Sequence, residues 1–157
     1  MEKDALTFNN LQQVLDDFTK DVAETYKSLL LRDGKNATGE LISSIRPMTP
    51  ELVDGTFECS LSLAPHWKYV ENGRRPGKFP PVDNILEWVK AKPQLARPNR
   101  LDRKELAPKQ LAFLVARKIA TKGIQPGKQL EEAIDIVYMR WKDRIDAAIT
   151  ADIEDIL

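Results

Sequence analysis

Asp54-Gly55-Thr56-Phe57-Glu58-Cys59-Ser60-Leu61-Ser62-Leu63 decides the fold class. Asp-Gly is a favoured centre for a two-residue hairpin turn, because both positions tolerate positive φ. Beyond it Phe57, Cys59, Leu61 and Leu63 alternate with Glu58, Ser60 and Ser62, the period of a half-buried strand. Cys59 falls on the apolar side of that strand and reads as a buried structural thiol, with no neighbouring pattern that would make it a nucleophile. Upstream, Ile45 to Val53 reads as an imperfect partner strand, kept at a sheet edge by Pro47 and Pro50.

Outward from this hairpin the periodicity changes to that of helices. Phe8, Leu11, Leu15, Phe18, Val22, Tyr26 and Leu29 recur at steps of three and four and form one apolar stripe. Asp33-Gly34 ends that helix, the glycine suiting a left-handed cap. Thr38-Gly39-Glu40-Leu41 opens a short segment that Pro47 keeps from running on as a helix. Val82, Ile85, Leu86 and Val89 make a short helix with Pro81 at its first position. Lys92 to Ala107 reads as an exposed basic loop. Pro108 starts a further helix with Leu111, Leu114, Val115 and Ile119 on its apolar face, and Gly123 ends it. The last helix begins near Leu130, and its stripe is Leu130, Ile134, Val137, Trp141, Ile145, Ile149, Ile153 and Ile156. The expected class is α+β: a small antiparallel hairpin sheet packed with long N- and C-terminal helices and two middle helices. We expect one domain over 1–157, comprising an N-terminal helix (1–34), a core (38–126) and a C-terminal helix (128–157).

Composition narrows the class further. The 157 residues are 42% hydrophobic and 31% charged, as in ordinary globular proteins, and no apolar run nears the roughly 20 residues that span a bilayer. The start, Met1-Glu2-Lys3-Asp4, is too polar for a secretory signal, and an intracellular origin is expected. Net charge is zero, yet residues 66–128 hold 15 Lys+Arg against 5 Asp+Glu, leaving 9 bases and 19 acids elsewhere. Such asymmetry points to contact with a polyanion, to charge complementarity between copies, or to opposite faces meeting within the fold.

Catalytic chemistry finds no constellation in this pattern. His66 is the sole histidine and reads as a structural residue beside Trp67; a single chain cannot build a two-histidine metal site from it. Gly73-Arg-Arg-Pro-Gly77 lacks the Gly-Lys-Ser/Thr ending of a phosphate loop. Glu131-Glu132 and the group Asp152, Glu154 and Asp155 suit solvated helix faces, leaving the final turn to fray or to pair with a neighbour's basic loop. No catalytic residue, cofactor or metal is expected, and no enzymatic activity.

The candidate site is the segment from His66 to Pro81. Trp67, Tyr69, Glu71, Arg74, Arg75, Lys78 and Phe79 form a shaped, charged loop suited to a subunit interface or to the lumen of an assembly. Arg74, Arg75 and Lys78, with aromatics interleaved, equally suit phosphate contact and base stacking, and Arg97, Arg100 and Arg103 extend the basic series. The aromatics also have a packing role open to them, since Trp67 and Val70 share a face of a helical turn. A small nucleic-acid-binding module using 66–128 is therefore the alternative to an assembly subunit.

The order of motifs resembles a family. Thr38-Gly39-Glu40-Leu41-Ile42-Ser43-Ser44-Ile45 precedes the hairpin, and Tyr69-Val70-Glu71-Asn72-Gly73-Arg74-Arg75-Pro76 and Phe79-Pro80-Pro81-Val82 follow it. Trp88-Val89-Lys90 and the run from Ala112 to Pro126 come next. Over about Thr38 to Pro126 this resembles the tail-completion or head–tail joining proteins of tailed bacteriophages. The chain departs from that pattern at Arg74, where a small hydroxyl residue is usual, and at Gln125 to Leu130, which replaces a Pro-x-Pro-Phe-Leu ending. The resemblance implies a structural virion subunit of the neck, assembled in the bacterial host cytoplasm as a ring, in that family often of six or twelve copies. Its implied partners are itself, the portal or connector, and tail-tube or tail-terminator proteins, with transient contact with packaged DNA and no membrane.

Overall fold

A computed structural model describes residues 7–35, 38–93 and 106–157. Its elements run α1 (Asn9–Arg32), α2 (Glu40–Ser44), β1 (Arg46–Pro47), β2 (Glu51–Val53), β3 (Thr56–Glu58), β4 (Leu61–Ser62), α3 (Trp67–Asn72), α4 (Val82–Ala91), α5 (Pro108–Lys122) and α6 (Gln129–Ile156). The class is α+β, 65% helical, with long helices at both ends. The chain divides into two compact units, each drawn from separate stretches.

The first unit comprises Met1–Asp33, Ser44–Ala64 and Gln129–Leu157. Its centre is the pair α1 and α6, which run antiparallel because the start of α1 meets the end of α6. Val22, Val137 and Trp141 are buried between them, with Val14, Phe18, Leu130 and Ile145 packed around. Three polar clamps fix the register of the pair. Arg32 grips Glu132 with both arms of its guanidinium, at 2.9 and 3.0 Å. Asp21 accepts from the Trp141 indole N–H and from Arg140, each at 2.7 Å. The Asp152 carboxylate accepts from the backbone N–H groups of Asn10 at 3.0 Å and Leu11 at 2.7 Å.

That third clamp corrects a sequence expectation. Asp152 is not on a solvated face: it is only 2% exposed. The first turn of a helix has N–H groups without intrahelical acceptors. Phe8, at the N-cap of α1, has no side-chain oxygen to take them, and the first turn of α1 carries no acid. Asp152 supplies the missing acceptor from another helix. Burial pushes its pKa up, but the bonds from Leu11 and Asn10 outweigh that and hold it below the usual carboxylate value. Asp21 behaves alike: burial raises it, while Trp141 and Arg140 bring it down below normal.

The apolar stripe expected along α6 divides in a way the large residues do not reveal. Val137 and Trp141 are buried, but Ile134, Ile149, Ile153 and Ile156 are exposed. Buried Ala133, Ala148 and Asp152 mark the true inner face.

The strand region forms an interrupted hairpin. Asp54 and Gly55 both take positive φ, 48° and 80°, as a two-residue turn of type I′ requires, and they join β2 to β3. Glu51 pairs with Glu58 and Val53 with Thr56. Nearer the hairpin's base, Arg46 pairs with Ser62 and Pro47 with Leu61. The register slips by one residue between these ladders, since Met48 to Pro50 on one side face Cys59 and Ser60 on the other. The single edge strand expected over 45–53 is thus two short strands broken ahead of buried Pro50. The same slip corrects Cys59. It lies in the gap between β3 and β4, where alternation has lapsed, and its thiol is exposed.

The second unit comprises Gly34–Ser43 and Pro65–Lys128. Its core joins α4 to α5 through Ile85, Val89, Ala112 and Ala116, with Val82, Leu86, Trp88, Leu111, Val115 and Ile119 around them. Pro81 precedes α4 as its N-cap rather than entering it. Pro108 opens α5 and Gly123 closes it, as read from sequence. Leu114, expected on the buried face of α5, is instead 45% exposed. The fully buried Ala112 and Ala116 define that face, and Leu114 projects from the opposite one.

Candidate functional site

The segment 66–81 is built from three pieces: helix α3, a glycine-hinged turn, and an extended approach to α4. Helix α3 ends at Gly73, whose φ of 68° and ψ of −165° lie where only glycine sits comfortably. Helix α5 ends in the same way at Gly123, with φ 74° and ψ −167°. The residues just past the two glycines then bridge each other. Arg74 N–H donates to Ile124 O at 2.9 Å and Ile124 N–H to Arg74 O at 2.8 Å. A side chain at Gly73 would be driven into the Ile124 carbonyl, and one at Gly123 into the Arg74 carbonyl. Each glycine therefore makes room for the other's neighbour.

Further backbone bonds extend this junction on both sides. Gly77 N–H donates to Ala120 O at 2.8 Å, Gly127 N–H to Val70 O at 3.0 Å, and Lys128 N–H to Glu71 O at 3.2 Å. Residues 70–77 are thus stapled to 120–128 by a series of main-chain bonds. The two motifs that stood fifty residues apart in sequence, around Gly73 and Gly123, form one substructure.

The predicted site residues separate into an inner and an outer set. Glu71 is buried, and Trp67 and Arg74 are half-buried. Arg74 turns its guanidinium back to the Lys78 carbonyl at 3.0 Å, closing the loop on itself. Its charge therefore has a local, structural task. Tyr69, Arg75, Lys78 and Phe79 face outward. Phe79 rests against Phe113 of α5, ring centroids 5.6 Å apart and planes tilted by 43°. Both rings keep wide exposure, 43% and 52%. Phe113 was missed in sequence, and Leu114 assigned to the wrong face, because the helical stripe was traced through large residues rather than through Ala112 and Ala116. Arg97, Arg100 and Arg103 lie outside the described residues.

Charge sharpens the outer set. No acid occurs from Gly73 to Pro81 or from Pro108 to Lys128, whereas these stretches hold Arg74, Arg75, Lys78, Lys109, Arg117, Lys118, Lys122 and Lys128. Among the described residues, Lys78, Arg117 and Lys118 have no carboxylate partner. The stretches that make the second unit contain 16 of the 24 bases and 6 of the 24 acids, leaving 8 and 18 for the first. Charge of +10 and −10 thus follows the division into units.

Elsewhere, a cavity of about 380 Å³ opens in the first unit beside the start of α1 and the β2–β3 hairpin, lined by Phe8, Gln12, Pro50, Leu52 and Phe57 among others. Among the described residues Glu51 is the one ionisable group lining it, and these offer no acid–base pair. Among the described residues no group of three His, Cys, Asp or Glu side chains is placed to hold a metal ion. No helix of the described residues is long and apolar enough to cross a membrane. Compared with family models, curated proteins and solved structures, the chain matches none.

Proposed function

We propose that this chain is a structural, non-enzymatic assembly subunit whose copies join head to tail, the basic unit of one meeting the acidic unit of the next. The observation that carries this reading is the partition of charge, +10 and −10, along the boundary between two compact units. A subunit with two different, complementary surfaces makes heterologous contacts, and these close into a ring when the rotation allows. Opposite charge across such contacts speeds and orients association. Together with the motif order between Thr38 and Pro126, this supports a place in the neck of a tailed-bacteriophage virion, between the portal and the tail. Negative-stain images of the purified protein, alone and co-expressed with portal and tail components, test it. Rings or neck-bound copies are expected; a protein that stays monomeric and binds neither component refutes it.

A second reading has its own observation, the acid-free stretches 73–81 and 108–128 with exposed aromatics among their cations. A nucleic-acid-binding module would bind duplex DNA with an affinity falling steeply with salt, and weaken on Arg75→Ala with Lys78→Ala.

A further inference from the structure

Both units carry an exposed apolar feature edged by charge, and the two features match. On the second unit, Phe79 and Phe113 form an open aromatic platform, extended by the exposed Leu114. Lys78 adjoins Phe79, Arg117 follows Phe113 by one turn and Lys118 follows Leu114 by one turn. Gly77 N–H, bonded to Ala120 O, holds the loop against α5, so the platform exists before any partner arrives.

On the first unit, Ile149, Ile153 and Ile156 of α6 are 37%, 47% and 43% exposed. Their spacing of four and three keeps them on one stripe, roughly 10 Å long at 1.5 Å rise per residue. From Ile145 onward the chain has four acids and no base. Asp152 is spent on capping α1, but Asp146 and Glu154 stay exposed.

We infer that the Ile149–Ile156 face of α6 in one copy docks on the Phe79–Phe113 platform of a second copy. This inference rests on the neck-subunit reading above and names its contact. Isoleucines cover the rings, while Asp146 and Glu154 meet Lys78, Arg117 and Lys118. It is a helix-on-groove mode in which apolar anchors give affinity and flanking charges set orientation. Because tail and platform belong to different units, each copy gives one contact and receives another.

Charge reversal tests the match in the full-length protein. One variant carries Lys78→Glu with Arg117→Glu, the other Asp146→Lys with Glu154→Lys. Each alone places like charges across the contact, and self-association by sedimentation velocity is expected to weaken roughly a hundredfold. Mixed, the acidic platform of the first accepts the basic tail of the second, and the basic platform of the second accepts the acidic tail of the first. The mixture is therefore expected to assemble as wild type does, with alternating copies. Thermal melts check that each variant folds. Should a reversal unfold the chain, Phe113→Ala replaces it, with weaker self-association expected and an unchanged melt.

Either reversed variant assembling alone like wild type overturns this contact while leaving the neck-subunit reading standing. A mixture that stays dissociated overturns it too, as does loss of duplex DNA binding in Lys78→Glu/Arg117→Glu with self-association unchanged. Wild type that remains monomeric at every concentration sinks the neck-subunit reading and this contact together.

Discussion

The α1–α6 pair and the Gly73–Gly123 junction are both held by long-range polar contacts, but of opposite kinds. The helix pair is clamped by side chains: Asp152 on the N–H groups of α1, Asp21 on Trp141 and Arg140, Arg32 on Glu132. Asp21 and Asp152, both held below the usual carboxylate value, are part of that clamp, so its stability is expected to respond to pH. The junction is clamped by main chain, through Arg74–Ile124, Gly77–Ala120 and Gly127–Val70. Arg75, Lys78 and Arg117 are exposed beside it. In the acidic unit several charges clamp the helix pair, while in the basic unit Lys78, Arg117 and Lys118 are exposed with no carboxylate partner among the described residues.

The largest effect is expected at the glycines. Gly73→Ala or Gly123→Ala adds a Cβ in a region closed to L-residues and against a facing carbonyl. Backbone strain plus the displaced bridge should lower stability by roughly 2–4 kcal/mol in urea titration. Restored stability in the double variant is not expected, because neither change makes room for the other. A wild-type unfolding curve for Gly73→Ala would break the contrast.

Next comes Trp141→Phe, which keeps most of the apolar bulk and removes the indole donor to Asp21. The partly buried carboxylate retains Arg140, so a loss of roughly 1–2 kcal/mol is expected by thermal or urea unfolding.

Asp152→Asn sharpens the titratable side of the comparison. The carboxyl's pKa is lowered in the fold, so its stabilisation is present above its unfolded value and vanishes as pH falls through the folded one. The variant should melt lower than wild type near neutral pH, and the gap should narrow as pH drops below the ordinary carboxylate range. An equal gap at all pH would show that charge is not what the α1 N-terminus uses. The smallest effect belongs to Arg74→Ala, which removes one exposed bond to Lys78 O and should cost about 0.5–1 kcal/mol. The neighbouring main-chain staples survive it.

Cys59 gives a separate check on the hairpin. With the register slipping beside it, its exposed thiol should react with a thiol reagent in the native state, without denaturant. Protection until denaturation would restore the continuous strand.

Elements with a strong local signal were legible in the chain. Asp54-Gly55 specifies its own turn, Pro108 and Gly123 bracket α5, and the stripe from Phe8 to Leu29 marks α1. What sequence periodicity missed depended on small or polar residues chosen by a distant partner. Ala112 and Ala116 set the inner face of α5 because α4 approaches there, which turns Leu114 outward. Asp152 is buried because Phe8 cannot cap α1, a fact visible only when the two ends of the chain meet. Cys59 followed the alternation on paper, but one extra residue opposite it ended the ladder. The candidate loop was recognised as a unit; its pairing with residues 120–128, and hence the local role of Arg74, required the fold.

The central claim is that opposite charges on the two units join copies of this chain, and native mass measured across salt concentration tests it most directly. At low ionic strength a single closed oligomer is expected, dissociating toward monomer near 1 M salt, where the screening length falls to about 3 Å. A monomer throughout, or an oligomer indifferent to salt, would contradict it.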